Sequence, residues 1–425
     1  MKDELDGPRK PFSIPKQYVW IAYKRVKANQ GACGVDKMSI EDLDRDRERN
    51  LYKLWNRMSS GTYFPPPVKL VEIPKKSGGM RPLGIPTVLD RIAQMVVKMI
   101  LEVKVEPHFH PDSYAYRPKK SAIQAVGQTR RRCWRYAWAI DLDIKGFFDN
   151  LDHELLLKAV RHHTDSKWIL LYIERWLKAK LQLKDKSLKN RDKGTPQGGV
   201  ISPLLANLYL HYTIDAWMER TYPENPFERY ADDIVVHAKT QEEATALFTA
   251  ITKRLKDCGL EVNKQKTKIV SCENDKRQGN DSIRKFDFQG FAFQPRKTRS
   301  RKGHDFIGFN PGISPKSATA IRRTMRTWQL HRRNRESLSI LAHEINPILN
   351  GWINYYGKYR KSDLYSVFDS LDSTIMRWVM RKYKRFRNRK RKARAWLRGV
   401  KSRDPRLFAH WQLGNSNGQW MIGAV

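Results

Sequence analysis

Apolar and polar positions along the chain switch between a period near 3.6 and a period near 2, and the switches divide it into helices and strands. Residues 15–29 carry Tyr18, Ile21, Ala22 and Val26 at helical spacing with Lys24, Arg25 and Lys27 turned outward, until Gly31-Ala32-Cys33-Gly34-Val35-Asp36 breaks the pattern. Residues 68–75 alternate like a strand, Lys76-Ser77-Gly78-Gly79 supplies turn chemistry, and Met80-Arg81-Pro82-Leu83-Gly84-Ile85-Pro86 returns. A hairpin is predicted there, with Lys75, Lys76 and Arg81 near its tip. Residues 90–105 read as a buried helix, 113–118 as a loop, and Ser121 as the cap of a helix opening at Ala122. Over 136–144, Trp138, Ile140, Leu142 and Ile144 share one face, which sets Asp141 and Asp143 together on the other. Asp152 is placed to cap a helix over 153–161, and Gly194-Thr195-Pro196-Gln197-Gly198-Gly199 is a backbone-permissive loop before a long apolar helix reaching about Trp217.

Residues 227–238 hold two short apolar runs around Asp232-Asp233, too close together for anything but a tight turn, so the acids are predicted at the tip of a β-hairpin. A helix over 241–259, a strand over 260–270 and a further strand over 286–293 with Gly290 at its centre follow. From about Gln294 the composition shifts: 295–304 reads as a basic connector, and everything beyond it as helical, over 314–328, 337–359 and 362–386. The expected class is α+β, a small antiparallel sheet with helices, followed by an all-α bundle.

Charge changes the picture. The 425 residues hold 82 Lys+Arg against 44 Asp+Glu, a formal +38, which points to a polyanionic partner, above all nucleic acid. Residues 381–403 contain thirteen Lys or Arg among twenty-three positions and no acid, a density that repels itself without phosphates nearby. No stretch approaches a membrane span and Met1-Lys2-Asp3-Glu4-Leu5-Asp6 opens no signal peptide, so a soluble, cytoplasmic protein without a membrane partner is expected. Cys33, Cys133, Cys258 and Cys272 form no C-x₂-C pair, which supports neither a zinc site nor a disulfide framework.

Paired acids on a rigid turn repel one another unless a divalent cation sits between them, and Mg²⁺ takes one or two carboxylates, waters and phosphate oxygens. A strand carrying Asp143 beside the Asp232-Asp233 hairpin in one sheet brings three carboxylates within reach of two such ions, the arrangement for in-line phosphoryl transfer. Spacing alone leaves Asp141 and Asp143 equal candidates. The cations of the first hairpin would fold over a triphosphate, with Arg offering a planar fork and Lys a point charge.

At these residues the chain resembles the reverse transcriptase/maturase proteins encoded by bacterial group II introns. Gly34-Val35-Asp36 is similar to the family's N-terminal extension motif, and Arg81-Pro82-Leu83-Gly84-Ile85-Pro86-Thr87-Val88-Leu89-Asp90-Arg91 to its fingers signature. Asp143-Ile144-Lys145-Gly146-Phe147-Phe148-Asp149 resembles the first catalytic strand, Thr195-Pro196-Gln197-Gly198-Gly199 the loop under the incoming base, and Tyr230-Ala231-Asp232-Asp233 the catalytic hairpin. Leu349-Asn350-Gly351-Trp352-Ile353-Asn354-Tyr355-Tyr356 is similar to the maturase segment, also called domain X or thumb.

The resemblance implies a right-hand polymerase: an N-terminal extension over 1–62, fingers and palm over 63–295, a thumb/maturase bundle over 296–380 and a basic nucleic-acid-binding segment over 381–425. It implies RNA-directed DNA polymerase activity with two Mg²⁺ ions, or Mn²⁺ in their place, held by Asp143, Asp232 and Asp233, and leaves Asp141 in support. It assigns dNTP contacts to Lys75, Arg81, Ile144, Phe148, Gln197 and Lys266, Phe148 packing against the sugar; for Lys266 a plain surface lysine is an equal alternative. Nucleic-acid contacts are expected at Arg117, Tyr355, Arg381, Arg385, Arg389, Arg391 and Arg394, although of Tyr355, Tyr356 and Tyr359 at least two are expected to be bundle core. Expected partners are group II intron RNA, an RNA template with a DNA primer, target DNA and dNTPs, and the expected role joins reverse transcription with splicing and mobility. Two alternatives stand beside it, a splicing-only maturase and a host-domesticated reverse transcriptase. The family often has Gly after Gly-Val-Asp, where Lys37 stands, and no Cys/His-paired nuclease module is seen, so priming from an existing 3′ end is expected.

Overall fold

The computed structural model describes residues 10–74, 79–272, 283–299 and 305–414 and is a mixed fold of helices and small sheets, in keeping with the α+β expectation. Lys75 and Lys76 lie outside the described residues. Helices α1 (Lys16–Asn29), α2 (Ile40–Arg45) and α3 (Arg47–Ser59) precede a hairpin of β1 (Val68–Pro74) and β2 (Met80–Ile85), antiparallel from Lys69↔Ile85 to Pro74↔Met80. Then come α4 (Val88–Val105), α5 (Ala122–Arg132), β3 (Trp138–Asp143), α6 (Phe147–Asn150), α7 (His153–His163), α8 (Lys167–Leu177), and the short strands β4 (Leu181–Gln182) and β5 (Leu188–Lys189). Helix α9 (Ser202–Leu210) runs through a π turn at His211–Asp215 into α10 (Ala216–Thr221). The hairpin of β6 (Phe227–Tyr230) and β7 (Asp233–Ala238) leads to α11 (Gln241–Asp257), β8 (Lys268–Ser271), β9 (Phe286–Phe288), β10 (Phe291–Arg299) and β11 (Asp305–Ile313). Helices α12 (Pro315–Thr327), α13 (Leu338–Tyr356), α14 (Tyr365–Lys382) and α15 (Lys390–Arg403) follow.

The chain divides into two compact units, one of residues 1–121, 142–236 and 242–267, the other of 122–141, 237–241 and 268–425. In the first, α4 is apolar on nearly every side, and α1, α3, α7, α8 and α9 pack around it, leaving Ile92, Val96, Val97 and Leu101 without exposed surface. In the second, Phe286, Phe288, Phe291, Phe293 and Phe309 fill the sheet β9-β10-β11, and Leu349, Phe368, Leu371, Ile375 and Trp378 the helical bundle. A four-stranded sheet has the order β6-β7-β3-β8.

Several predicted elements take another form. The expected long helix to Trp217 is interrupted by the π turn, where Arg254 donates from Nε to the Thr213 carbonyl and from Nη2 to the Tyr212 carbonyl, each at 3.0 Å. Such side-chain donors satisfy carbonyls that the α-helical ladder leaves out of register. The expected strand over 260–270 forms only at Lys268–Ser271, because Asn263 turns the chain: its carbonyl accepts from Lys266 N at 3.1 Å and Thr267 N at 2.9 Å. The predicted strand over 286–293 is two strands folded at Gln289-Gly290, where φ is +49° and +79°, the signature of a tight hairpin turn. The basic connector and the all-helical region after it give way to the β10–β11 hairpin, paired from Phe291↔Ile313 to Arg299↔Asp305. Phe291, Ala292 and Phe293 are buried in succession and β11 is buried continuously from Gly308 to Ile313, so neither strand carries the alternation that marks a half-exposed strand. Part of the basic run over 381–403 is helix α15, whose Ala393 and Leu397 join the bundle core.

Candidate active site

The paired acids sit where the period-2 pattern put them. β6 and β7 pair from Phe227↔Val236 to Tyr230↔Asp233, leaving Ala231 and Asp232 as the turn. Ala231 has φ +58°, left-handed backbone that favours glycine, so something must hold it. Arg229 does. Its guanidinium, without exposed surface, donates to Asp215 (Nε to Oδ1 2.6 Å, Nη2 to Oδ2 2.5 Å), to Asn207 Oδ1 at 3.1 Å and to the Ala231 carbonyl at 3.3 Å. Its backbone also pairs with the 112–114 segment, Tyr114 N donating to Arg229 O and Arg229 N to Asp112 O, each at 2.9 Å.

That segment carries Tyr116, itself at φ +57°, to the turn. Burial, then the charge of Asp232 and the neighbouring Tyr230, push the Tyr116 phenol up, and Arg81 opposes them. The Asp232 carboxyl is raised by burial and by the charge of Asp143, against its own backbone hydrogen bond and the cations Arg81 and Lys266. Asp143, Arg81 and Lys266 therefore each lie within electrostatic reach of Asp232. Asp143 is held at the end of β3: its carbonyl accepts from Asn263 N at 2.8 Å and its carboxylate from Asn263 Nδ2 at 3.1 Å and Lys266 Nζ at 3.0 Å. The turn at Asn263 that shortens β8 is thus what brings Lys266 to the acid. Asp233, half-buried, opens β7, and Asp141 stands opposite Lys268 across the β3–β8 pair. Among the described residues no three acids, histidines or cysteines are grouped as a ready-made metal cage. Two carboxylates whose charges oppose each other fit Mg²⁺, which completes its shell with water and phosphate.

Beside the acids the 194–199 loop is fixed at three points. Gly194 N donates to Leu151 O and Thr195 N to Phe148 O, both at 2.7 Å, and a Cβ on Gly194 would stand 2.7 Å from Phe148 O. Gly84 N donates to Gln197 O at 2.7 Å, which seats the loop on β2 three residues from Arg81. Gln94 Oε1 accepts from Val200 N at 2.8 Å and Ile201 N at 3.3 Å, while its Nε2 donates to Asp90 at 2.9 Å. Asp90 is fully buried, accepts from Tyr63 and Trp176, and has its pKa raised by burial to about 6 against those hydrogen bonds. The loop joins Gln197, half-buried Phe148 and exposed Arg81 in one frame, whereas the Ile144 side chain, expected at the nucleotide, is 2% exposed and packs inward.

Residues 73–310, more than half of the chain, match the sequence signature of the family described as Reverse transcriptase (RNA-dependent DNA polymerase), and residues 318–396 that of the Group II intron, maturase-specific domain. The chain belongs to the reverse transcriptase family. Among similar proteins, the Group II intron-encoded protein LtrA of Lactococcus lactis subsp. cremoris is 38% identical over 194 residues, 45% of this chain and 32% of LtrA. Protein YkfC of Escherichia coli is 37% identical over 201 residues, 44% of this chain and 50% of YkfC. The Putative COX1/OXI3 intron 1 protein of Saccharomyces cerevisiae is 30% identical over 199 residues, 47% and 24% of the two. The matches thus span from about a quarter to half of the length of these curated relatives.

The nucleic-acid residues expected of this reverse transcriptase fare unevenly. Arg117 is a correction: its side chain is 6% exposed and spent on Glu106 Oε1 at 3.0 Å and the carbonyls of His110 and Ser113 at 2.6 and 2.7 Å. Tyr355 donates to Gln289 O at 2.9 Å and, with Tyr356 and Tyr359, packs around Phe291 of β10, all three half-buried. Arg381, Arg385, Arg389 and Arg391 are exposed, Arg385 lying over the Phe386 ring, and Arg394 is half-buried. Pattern reading missed Tyr116, the Arg229–Asp215 pair and the Asp90–Gln94 relay. Charged or amide residues inside apolar helices and strands were the available signal, since such groups are costly without partners. No helix among the described residues is long and apolar enough to cross a membrane.

Proposed function

We propose that the chain is an RNA-directed DNA polymerase that extends a DNA primer on an RNA template from dNTPs, and that it also binds group II intron RNA to assist splicing. The observation that carries this is the mutual reach of Asp143 and Asp232 with Arg81 and Lys266 beside them. Mg²⁺ held by Asp143 and Asp232, with Asp233 adjoining, would supply the charge stabilisation that in-line phosphoryl transfer needs. The chain's own residues do the rest: Arg81 binds triphosphate oxygens, Gln197 and Phe148 orient base and sugar, and Lys266 places positive charge toward the leaving pyrophosphate. In this reading residues 63–295 supply fingers and palm and residues 296–380 the thumb, with the exposed cations of α15 neutralising RNA phosphates without reading bases.

The test is primer extension by the purified chain on an RNA template with Mg²⁺, alongside RNA filter binding. Asp232→Ala should abolish extension and leave RNA binding as in the wild type. Extension that survives the substitution removes Asp232 from the chemistry.

A further inference from the structure

Helix α7, the run from α9 through the π turn to α10, and α11 enclose a pocket of about 520 Å³ within the first unit that shares no residue with the candidate active site. Its volume falls in the range of small-molecule sites, about 300–1,000 Å³. Tyr212 and Trp217, both half-exposed, line it with aromatic surface over a buried Tyr209; Lys158, Arg220 and Arg254 line it with cations, and no acidic residue lines it. The walls are built: Arg254 is anchored on the carbonyls of the π turn, Tyr209 donates to Cys258 O at 2.5 Å, and Tyr212 Oη lies 2.8 Å from His163 Nε2. His163 is kept neutral, its pKa lowered to about 4 by burial and by His108, His162 and His211. π turns in α-helices recur at functional sites.

We infer that this pocket binds a nucleotide, base against the aromatic faces and phosphate on the cations. Aromatic walls accept any base through its π-face, and Lys and Arg make charge-assisted bonds to phosphate. Asp and Glu side chains of an acidic peptide would use the cations but have no flat ring to lay on Tyr212 and Trp217. The nucleotide has two sources, a free mononucleotide or an unpaired nucleotide of a bound RNA. The inference goes beyond the polymerase reading and does not require it.

The full chain is photo-crosslinked separately with 8-azidoadenosine monophosphate and with a 4-thiouridine RNA oligonucleotide, and the labelled peptides are mapped by mass spectrometry. Label is expected on residues 209–220, and the exposed pair Lys158→Ala and Arg220→Ala should lower it about tenfold by removing phosphate contacts. Circular dichroism checks the fold, and primer extension on a pre-annealed template should be unchanged. Labelling by the mononucleotide indicates a free ligand, and labelling by the oligonucleotide alone a nucleotide within a strand; both support the site. Absence of label from 209–220 with both probes overturns it, as does undiminished label in the double variant. Competition by poly-glutamate equal to that by adenosine monophosphate also overturns it. If wild-type extension fails while the label persists, the polymerase reading falls and this one stands.

Discussion

Arg229 and Asp215 are both wholly buried, and the turn that carries Asp232 depends on them. Removing one member strands the other's charge away from water, so Asp215→Ala should cost about 3–5 kcal/mol of stability. Replacing both by apolar residues should cost less than that, although the turn loses its support; urea unfolding of the single and double variants measures the difference. Asp90 sets a second expectation. Burial raises its pKa from 3.8 to about 6, so the folded chain holds this proton more tightly than the unfolded one. Its contribution to stability is therefore full below about pH 4 and is lost as the pH rises through about 6, a fall of ~1.4 kcal/mol between about pH 5 and pH 7.5. Asp90→Asn should flatten that part of the pH–stability profile. The Asp141/Asp143 face and the Asp232 turn were legible because each lies in a short local pattern, and the choice of Asp143 over Asp141 rested on the family resemblance. Arg229 was not, because its partners lie 14 and 22 positions away on a helix whose apolar period gives no hint of an acid turned inward.

Among the elements, the 194–199 loop needs glycine to fit. A Cβ on Gly198, at φ +111°, would stand 2.5 Å from the Gly84 carbonyl, so Gly198→Ala must lift the loop off β2. Displacing a substrate-positioning segment by about 1 Å is enough for a loss of roughly 10² in kcat/KM. Single-nucleotide incorporation should show that loss, with RNA binding intact. Gly399→Ala, where a Cβ meets nothing within 4 Å, should leave incorporation unchanged. The Asp232 hairpin, α4 and the Asp152-capped α7 were readable from period and cap chemistry. The π turn at 211–215 and the β10–β11 hairpin were not, since one depends on Arg254 from another helix and the other is buried in consecutive runs without a period of two.

For the whole molecule, the excess charge predicts how it meets RNA. Lys390, Arg391, Lys392 and Arg398 are exposed on α15, while Ala393 and Leu397 hold that helix in the bundle. Changing the four cations to Gln should keep the fold and reduce the slope of log affinity against log salt by about 0.7–0.9 for each one that faces a phosphate. An unchanged slope removes α15 from the interface. The α+β class was legible at this scale because charge and periodicity are summed over many residues. The division into units was not, because no local signal tells residues 122–141 that their neighbours lie beyond residue 268.

That interleaving sets a timetable for synthesis. Residues 122–141 leave the ribosome early, yet β8, which pairs with β3 from Trp138↔Ser271 to Asp141↔Lys268, is made well over a hundred residues later. At about 5–20 residues per second the nascent chain carries that strand without its partner for roughly ten seconds. Over that interval the strand edge of β3 that faces β8 is unpaired, the kind of exposed edge that invites misassembly, and slower synthesis after residue 141 would prolong the wait.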